Sequence, residues 1–227
     1  MFDIVARWFP HVVEYRGEFI SSIWETAVMV GVSGAISLVS SLILGVLLVT
    51  TPKGGLLAAP LCNRVLSYAI NVLRSVPFII LAAALVPLTR ALTGAALGLR
   101  GAIFPLVVGI TPFFARQVEA ALMTIPSNLI ETAYSMGFTP WKIIRRVYLR
   151  EGIPALAKGT TITMVSLIGL SAISGSLGSG GLGDFAIRYG YQRFMFDATL
   201  ASVIVLLCMV GFVEFVGKIV VDATTRQ

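Results

Sequence analysis

Between Glu25 and Lys53 the chain runs for 27 residues, Thr26 to Pro52, without a charge. At 1.5 Å per residue a helix of that length reaches about 40 Å, more than a hydrocarbon core of roughly 30 Å, so the stretch can cross a bilayer with tilt. Ser33, Ser37, Ser41 and Gly45 recur along it every four residues. Small residues at that spacing allow close approach of a second helix in lipid; serines bonded to their own helix backbone are the alternative. Further apolar runs follow: Leu61 to Leu88, Gly101 to Ala115, Gly159 to Ser174, and Ala198 to near Glu214 and Lys218. The second carries Arg74 just before Ser75-Val76-Pro77 and reads as one helix kinked at Pro77, lining a cavity. The third ends at the i,i+3 pair Arg116 and Glu119, the last at the i,i+4 pair Glu214 and Lys218. Asp184 to Asp197 reads as a polar loop.

Only 12% of the residues are charged, about half the share in soluble domains. The chain is therefore expected to be an all-α membrane protein with five transmembrane helices. Its net charge of +6 could suit nucleic acid, but in such a chain it reflects Lys and Arg in inner loops. Five spans put the termini on opposite sides. With the N-terminus outside, the inner side holds Lys53, Arg64, Arg74, Arg116, Lys142, Arg145, Arg146, Arg150, Lys158, Lys218 and Arg226. The outer side holds Arg7, Arg16, Arg90, Arg100, Arg188 and Arg193. Eleven of the 17 basic residues thus lie inside, which favours this orientation and places residues 116–158 in the cytosol. The expected division is an external or interfacial segment over 1–19, a transmembrane domain over 20–218 and a cytosolic tail over 219–227. Residues 1–13 suit a short surface helix with Pro10 as a break, or a frayed tail. Cys62 and Cys208 read as packing residues and His11 as a solvated side chain.

The one long polar segment between spans follows Pro126-Ser127-Asn128. Asn128 is placed to cap a helix, and Glu131 favours its positive end. Ile130, Ala133, Tyr134 and Gly137 share a face. Gly137 suits a left-handed stop, and Thr139-Pro140 starts a new helix. Two turns standing alone are marginal in water, so this helix needs a surface. That surface is either a partner or its own membrane domain.

Glu131-Thr132-Ala133 with Gly137 six residues after the Glu resembles the cytosolic loop of permease subunits of ATP-binding-cassette importers. Val147 and Leu149 match the far end of that pattern. Arg150 stands where Pro is usual, with Pro154 four residues later, and Thr132 replaces the commoner Ala. Leu73-Arg74-Ser75-Val76-Pro77-Phe78-Ile79-Ile80, Gly137-Phe138-Thr139-Pro140 and Gly178-Ser179-Gly180-Gly181-Leu182-Gly183 are similar to the methionine-importer permeases, over a region from Trp24 to the tail.

The resemblance implies a type I importer permease fold and a coupling helix at about 128–137, with Asn128, Ile130, Glu131, Thr132, Ala133 and Gly137 meeting an ATPase. It implies import of methionine, D- and L-, or of another amino acid or small solute. Pathway or gate candidates are Arg74, Pro77, Ile173, Gly175, Gly178, Gly180, Gly181 and Gly183. The implied partners are two copies of an ATP-binding-cassette subunit holding ATP and Mg, an external substrate-binding lipoprotein, a second copy of the chain and lipid, all at a cytoplasmic (inner) membrane. No cofactor or metal in this chain, no nucleic acid and no enzymatic activity of its own are expected.

Gly178 to Gly183 also fits G-x-G-x-x-G, but that pattern binds dinucleotides only between a strand and a helix. No G-x-x-x-x-G-K-[ST] is present. A secondary transporter or channel would show repeats and a midplane site, and neither is visible. An intramembrane enzyme lacks a second histidine or paired acids at depth.

Overall fold

A computed structural model describes residues 8–225, and every regular element among them is helical. A short helix α1 (Pro10–Glu14) precedes α2 (Arg16–Thr50), and α3 (Pro60–Ser75) precedes α4 (Phe78–Thr93). Then come α5 (Gly98–Met123), α6 (Ser127–Ser135) and α7 (Pro140–Ile143). A π-helical turn over Ile144–Tyr148 leads into α8 (Leu149–Glu151) and α9 (Ile153–Ser174). The glycine segment Gly175–Ser179, α10 (Gly181–Phe185), a second wide turn over Ala186–Tyr191 and α11 (Phe196–Thr225) complete the order.

Four helical stretches, Arg16–Thr50, Gly98–Met123, Ile153–Ser179 and Phe196–Thr224, are long and apolar enough to span a membrane. The pair α3 and α4 passes the same test only when taken together across its interruption, as a broken span or a re-entrant loop. This corrects the single kinked helix expected there. Pro77 has no N–H to donate and disfavours helical backbone at the residue before it; Val76 is extended at φ −82°, ψ 123° and a new helix starts at Phe78.

Three other boundaries move. The third span does not end at Arg116, because the charge is satisfied by one partner in its own helix and two on α3. Its guanidinium donates to Glu119 Oε2 (2.6 Å), Ser67 Oγ (2.6 Å) and Asn71 Oδ1 (2.9 Å). The expected polar loop Asp184–Asp197 is mostly helical, because Phe185 and Tyr189 are buried and hold it down. Pro10 starts α1 and does not break it, since proline fits the first helical position. The part of the expected surface segment before Trp8 lies outside the described residues.

The chain divides into two compact units. One comprises Met1–Ala35, Pro77–Val108 and Met164–Val213, the other Ile36–Val76, Gly109–Thr163 and Glu214–Gln227. In the first unit, Phe185, Tyr189 and Ala198 form a core with Tyr15 and Phe19 against it. Tyr189 donates to Glu18 Oε2 (2.5 Å), which with burial holds its phenol above the ordinary value of 10.0. His11 is not a free solvated ring: its Nδ1 lies 2.7 Å from Asp197 Oδ1, and its backbone N–H donates to Oδ2 at 2.9 Å. In the second unit, Phe114, Val118, Leu122, Ile125, Ala133, Ile143, Ile144 and Tyr148 form the core. Cys62 and Cys208 are exposed and free, so neither packs in a core.

The four-residue stripe on α2 does bring a neighbour close. Ser33, Ser37 and Ser41 are fully buried. In the first unit Ser33 Oγ donates to the carbonyl of Ile103 (3.5 Å), and in the second Ser41 Oγ donates to that of Thr111 (3.0 Å). A Cβ on Gly45 would stand 2.4 Å from Val118 Cγ1. Ser33 and Ser41 therefore bond to α5 and not to their own helix, while the buried Ser37 Oγ has no hydrogen-bond partner among the described residues. A sharper close approach occurs at Gly183, where a Cβ would lie 2.1 Å from the Ala172 carbonyl oxygen, while nothing lies within 4 Å at Gly211. Gly183→Ala should therefore destabilise the solubilised chain by about 1–3 kcal/mol through overpacking, and Gly211→Ala should not, as read from thermal unfolding in detergent.

Candidate functional site

The polar segment folds as expected in outline, and the geometry shows why it is stiff. Pro126, extended at φ −61°, ψ 135°, precedes α6. Asn128 does not cap the helix: it lies inside the first turn, and its carbonyl accepts a bond from Thr132 Oγ1 (2.7 Å). The cap position falls on Pro126 because the helix begins two residues earlier than the Asn pattern suggested.

At the other end the chain closes in a Schellman arrangement. Gly137 N–H donates to the Tyr134 carbonyl (2.9 Å) and Phe138 N–H to that of Ala133 (3.1 Å). Gly137 sits at φ +76°, the left-handed conformation that only glycine adopts without strain. Thr139 then occupies the cap of α7 with Pro140 in its first turn, though the Thr139 hydroxyl makes no capping bond.

The faces of α6 differ from the expected grouping. Ala133 is buried in the core of its unit, and Ile130 and Phe138 pack against that core. Tyr134 is instead 65% exposed, and Gly137 is exposed too. At about 100° per residue Tyr134 lies roughly 40° from Ile130 and 100° from Ala133, so it borders the rooted face and its ring stays exposed at the edge. The outward face is polar and small: Asn128, Glu131, Thr132 and Ser135, all exposed. So the helix is rooted in its own chain and also presents a free face. Of the six coupling residues expected here, Asn128, Glu131, Thr132 and Gly137 are exposed, and Ile130 and Ala133 form the root.

One feature here was missed by the sequence reading. The turn Gly54-Gly55-Leu56 lines one groove with Ile130, Glu131, Tyr134 and Ser135. Its signal was the Pro52-Lys53-Gly54-Gly55 run, which shows a turn but not its neighbour. The basic run read from the sequence is exposed: Lys142 on α7, beside exposed Trp141, and Arg145, Arg146 and Arg150 beyond it form a strip with no ion pair among the described residues. Lys142 Nζ stands 4.0 Å over the Phe138 ring, and Ile144 and Tyr148 turn inward beneath it. Burial raises the Tyr148 phenol above its ordinary value.

The gate candidates fall in both units. Arg74 is exposed, with its guanidinium 5.9 Å from the Phe113 ring centroid, and Pro77 is the residue that begins α4. Ile173 is exposed on α9. Gly175, Gly180 and Gly183 come together: a Cβ on Gly175 would lie 2.8 Å from the Gly180 oxygen and 3.0 Å from Gly183 Cα. Gly178, Gly180 and Gly181 have φ of +89°, +81° and +79°. The segment is therefore a backbone-to-backbone reversal, which side chains at these positions would block.

Comparison with known proteins places this geometry in a setting. The profile of the family described as "Binding-protein-dependent transport system inner membrane component" matches residues 54–226. A probable D-methionine transport system permease protein of Vibrio cholerae is 40% identical over 226 residues, covering all of this chain and 97% of that protein. The D-methionine transport system permease protein of Escherichia coli strain K12 is 45% identical over 156 residues, 69% of this chain and 72% of that one. A solved chain from inward-facing conformations of the MetNI methionine ABC transporter superposes with a TM-score of 0.88 at 41% identity, covering 90% of this chain and 95% of that chain. An amino acid ABC transporter solved with histidines shares the fold at a TM-score of 0.77 and 17% identity.

No atom lies within 4 Å of where a Cβ on Gly137 would stand, so backbone strain alone governs substitution there. Gly137→Asn should cost less than about 1 kcal/mol and Gly137→Val about 1–3 kcal/mol. The readout is thermal unfolding of the solubilised chain. Equal losses for both variants would mean that the left-handed conformation is not what holds the helix end.

Proposed function

Because the chain belongs to the family of binding-protein-dependent transport system inner membrane components, we propose that it is the permease of an ATP-driven methionine importer, passing D- and L-methionine across the cytoplasmic membrane. The observation that carries this reading is α6: a short helix with an exposed polar face, locked at its end and rooted in the core of its own unit. A partner seated on Asn128, Glu131, Thr132 and Ser135 would push on Ile130, Ala133 and Phe138. These pack on Phe114, Val118 and Leu122 of α5, against which Leu42, Val46 and Val49 of α2 also lie. Close-packed side chains pass displacement on and do not absorb it. Motion at α6 therefore reaches two spanning helices directly.

In this reading a separate ATPase subunit, in two copies, binds ATP and Mg and does the hydrolysis. The permease works as a pair of identical chains, and an external lipoprotein delivers the substrate. The N-terminus faces outward, and α6 with the basic strip faces the cytosol, in line with the excess of Lys and Arg on that side. The gate candidates Arg74, Pro77, Ile173 and the glycines Gly175 to Gly183 would line or close the route.

Reconstitution with the ATPase and the lipoprotein tests the proposal: labelled methionine should accumulate only with ATP. Glu131→Lys, which reverses a charge on the exposed face, should lower uptake about tenfold or more by weakening docking, while Asp222→Asn leaves it unchanged. Loss of uptake with the ATPase still bound at wild-type affinity would remove α6 as the docking element.

Orientation is tested in a chain whose Cys62 and Cys208 are replaced by Ser. An impermeant thiol reagent should reach Leu97→Cys in intact cells and Ser135→Cys only after permeabilisation. The reverse pattern would overturn the orientation.

A further inference from the structure

The glycine reversal cannot hold itself by its own backbone. The first amides of α10, Gly181 N–H and Leu182 N–H, have no carbonyl partner within their own helix. Both donate to side chains of α2. Gly181 N–H meets Glu25 Oε2 at 2.7 Å, and Leu182 N–H meets Thr26 Oγ1 at 2.8 Å. The fit is tight: a Cβ on Gly180 would lie 2.5 Å from Glu25 Oε2, and one on Gly181 2.6 Å from Met29 Cε and 2.7 Å from Thr26 Oγ1. Glycine at 180 and 181 thus serves two ends. It permits the left-handed backbone, and it lets α2 come within hydrogen-bond reach.

Glu25 lies in α2 at the edge of its uncharged run, Thr26 to Pro52. Among the described residues no Lys, Arg or His forms an ion pair with it. Its recorded partner is a backbone amide at the positive end of α10. A leucine would serve lipid packing better and an Arg–Glu pair would serve charge better. The carboxylate suits one task, accepting an amide proton from a segment that has to be held and also released.

We infer that Glu25, with Thr26 beside it, is the positioning residue of the glycine reversal: it latches Gly175–Gly183 to the first spanning helix, and the segment moves only when these two bonds are let go. The inference deepens the transport reading and rests on it for the role of the reversal as a gate. The latch itself is a property of the chain alone, so the two can fail separately.

The test uses the full chain in membranes opened on both faces, with Cys62 and Cys208 replaced by Ser and a reporter thiol at Ser179→Cys, a buried position within the reversal. The rate of maleimide labelling reads its local opening. Glu25→Ala should raise that rate about tenfold, the loss of one charge-assisted bond, and Thr26→Val should raise it by a smaller factor. Glu25→Gln keeps an acceptor oxygen and should label near the parental rate. If Glu25→Ala does not accumulate, Thr26→Val and Glu25→Gln decide. Parental labelling in the alanine and valine variants, or fast labelling in the glutamine variant, overturns the latch. If labelling follows the expected order but no variant, nor the parent, imports methionine with the ATPase present, the latch stands and the transport reading falls.

Discussion

In a hydrocarbon layer a backbone N–H or C=O has no water to bond, and leaving one unpaired costs several kcal/mol. That constraint makes every regular element described here helical, and it dictates what happens where the helices stop. Each interruption supplies substitute bonds. Pro77 takes its place at an end where an N–H is not needed. Gly137 lets two amides turn back onto the carbonyls of Ala133 and Tyr134. Glu25 and Thr26 reach across to the open amides of α10. Irregular backbone is confined to points where a side chain or a reversed strand of backbone can satisfy it.

The same economy governs charge. Arg116 stays inside α5 because Glu119, Ser67 and Asn71 surround its guanidinium. Glu18, Asp184 and Arg188 join in one cluster with Tyr189. The exposed basic strip after α6 is different, being unpaired among the described residues. An unpaired exposed strip is suited to a partner or a membrane surface.

Rigidity and exposure are combined at α6. A two-turn helix in water would fray, but Ala133, Ile130 and Phe138 fasten one side of it to a core that includes α5. The sequence left open whether this helix docks on a partner or on its own membrane domain. The structure makes the second true of one face and leaves the other face free. The two readings are therefore complementary, and a coupling element needs both.

Much was legible in the residues. Uncharged runs near 20 residues fixed the helical class and the long spans, because length and hydropathy alone decide what can cross a bilayer. Gly137 marked its own left-handed stop, since that conformation discriminates against side chains locally. The Ser-Gly stripe on α2 marked a close approach. What the residues could not carry was pairing between distant segments. His11 looked solvated until Asp197, 186 residues away, was folded against it. Arg116 looked like the end of a span until Ser67 and Asn71 arrived. The pattern around Asn128 suggested a cap that the backbone places at Pro126. Glu25 looked like a boundary charge, and only the tertiary fold brings the amide of Gly181 to it. Local backbone preference and hydropathy are properties of a few neighbouring residues and so can be read in order. Partners for charges and stray amides are chosen by which helices lie side by side, and the linear order does not record that.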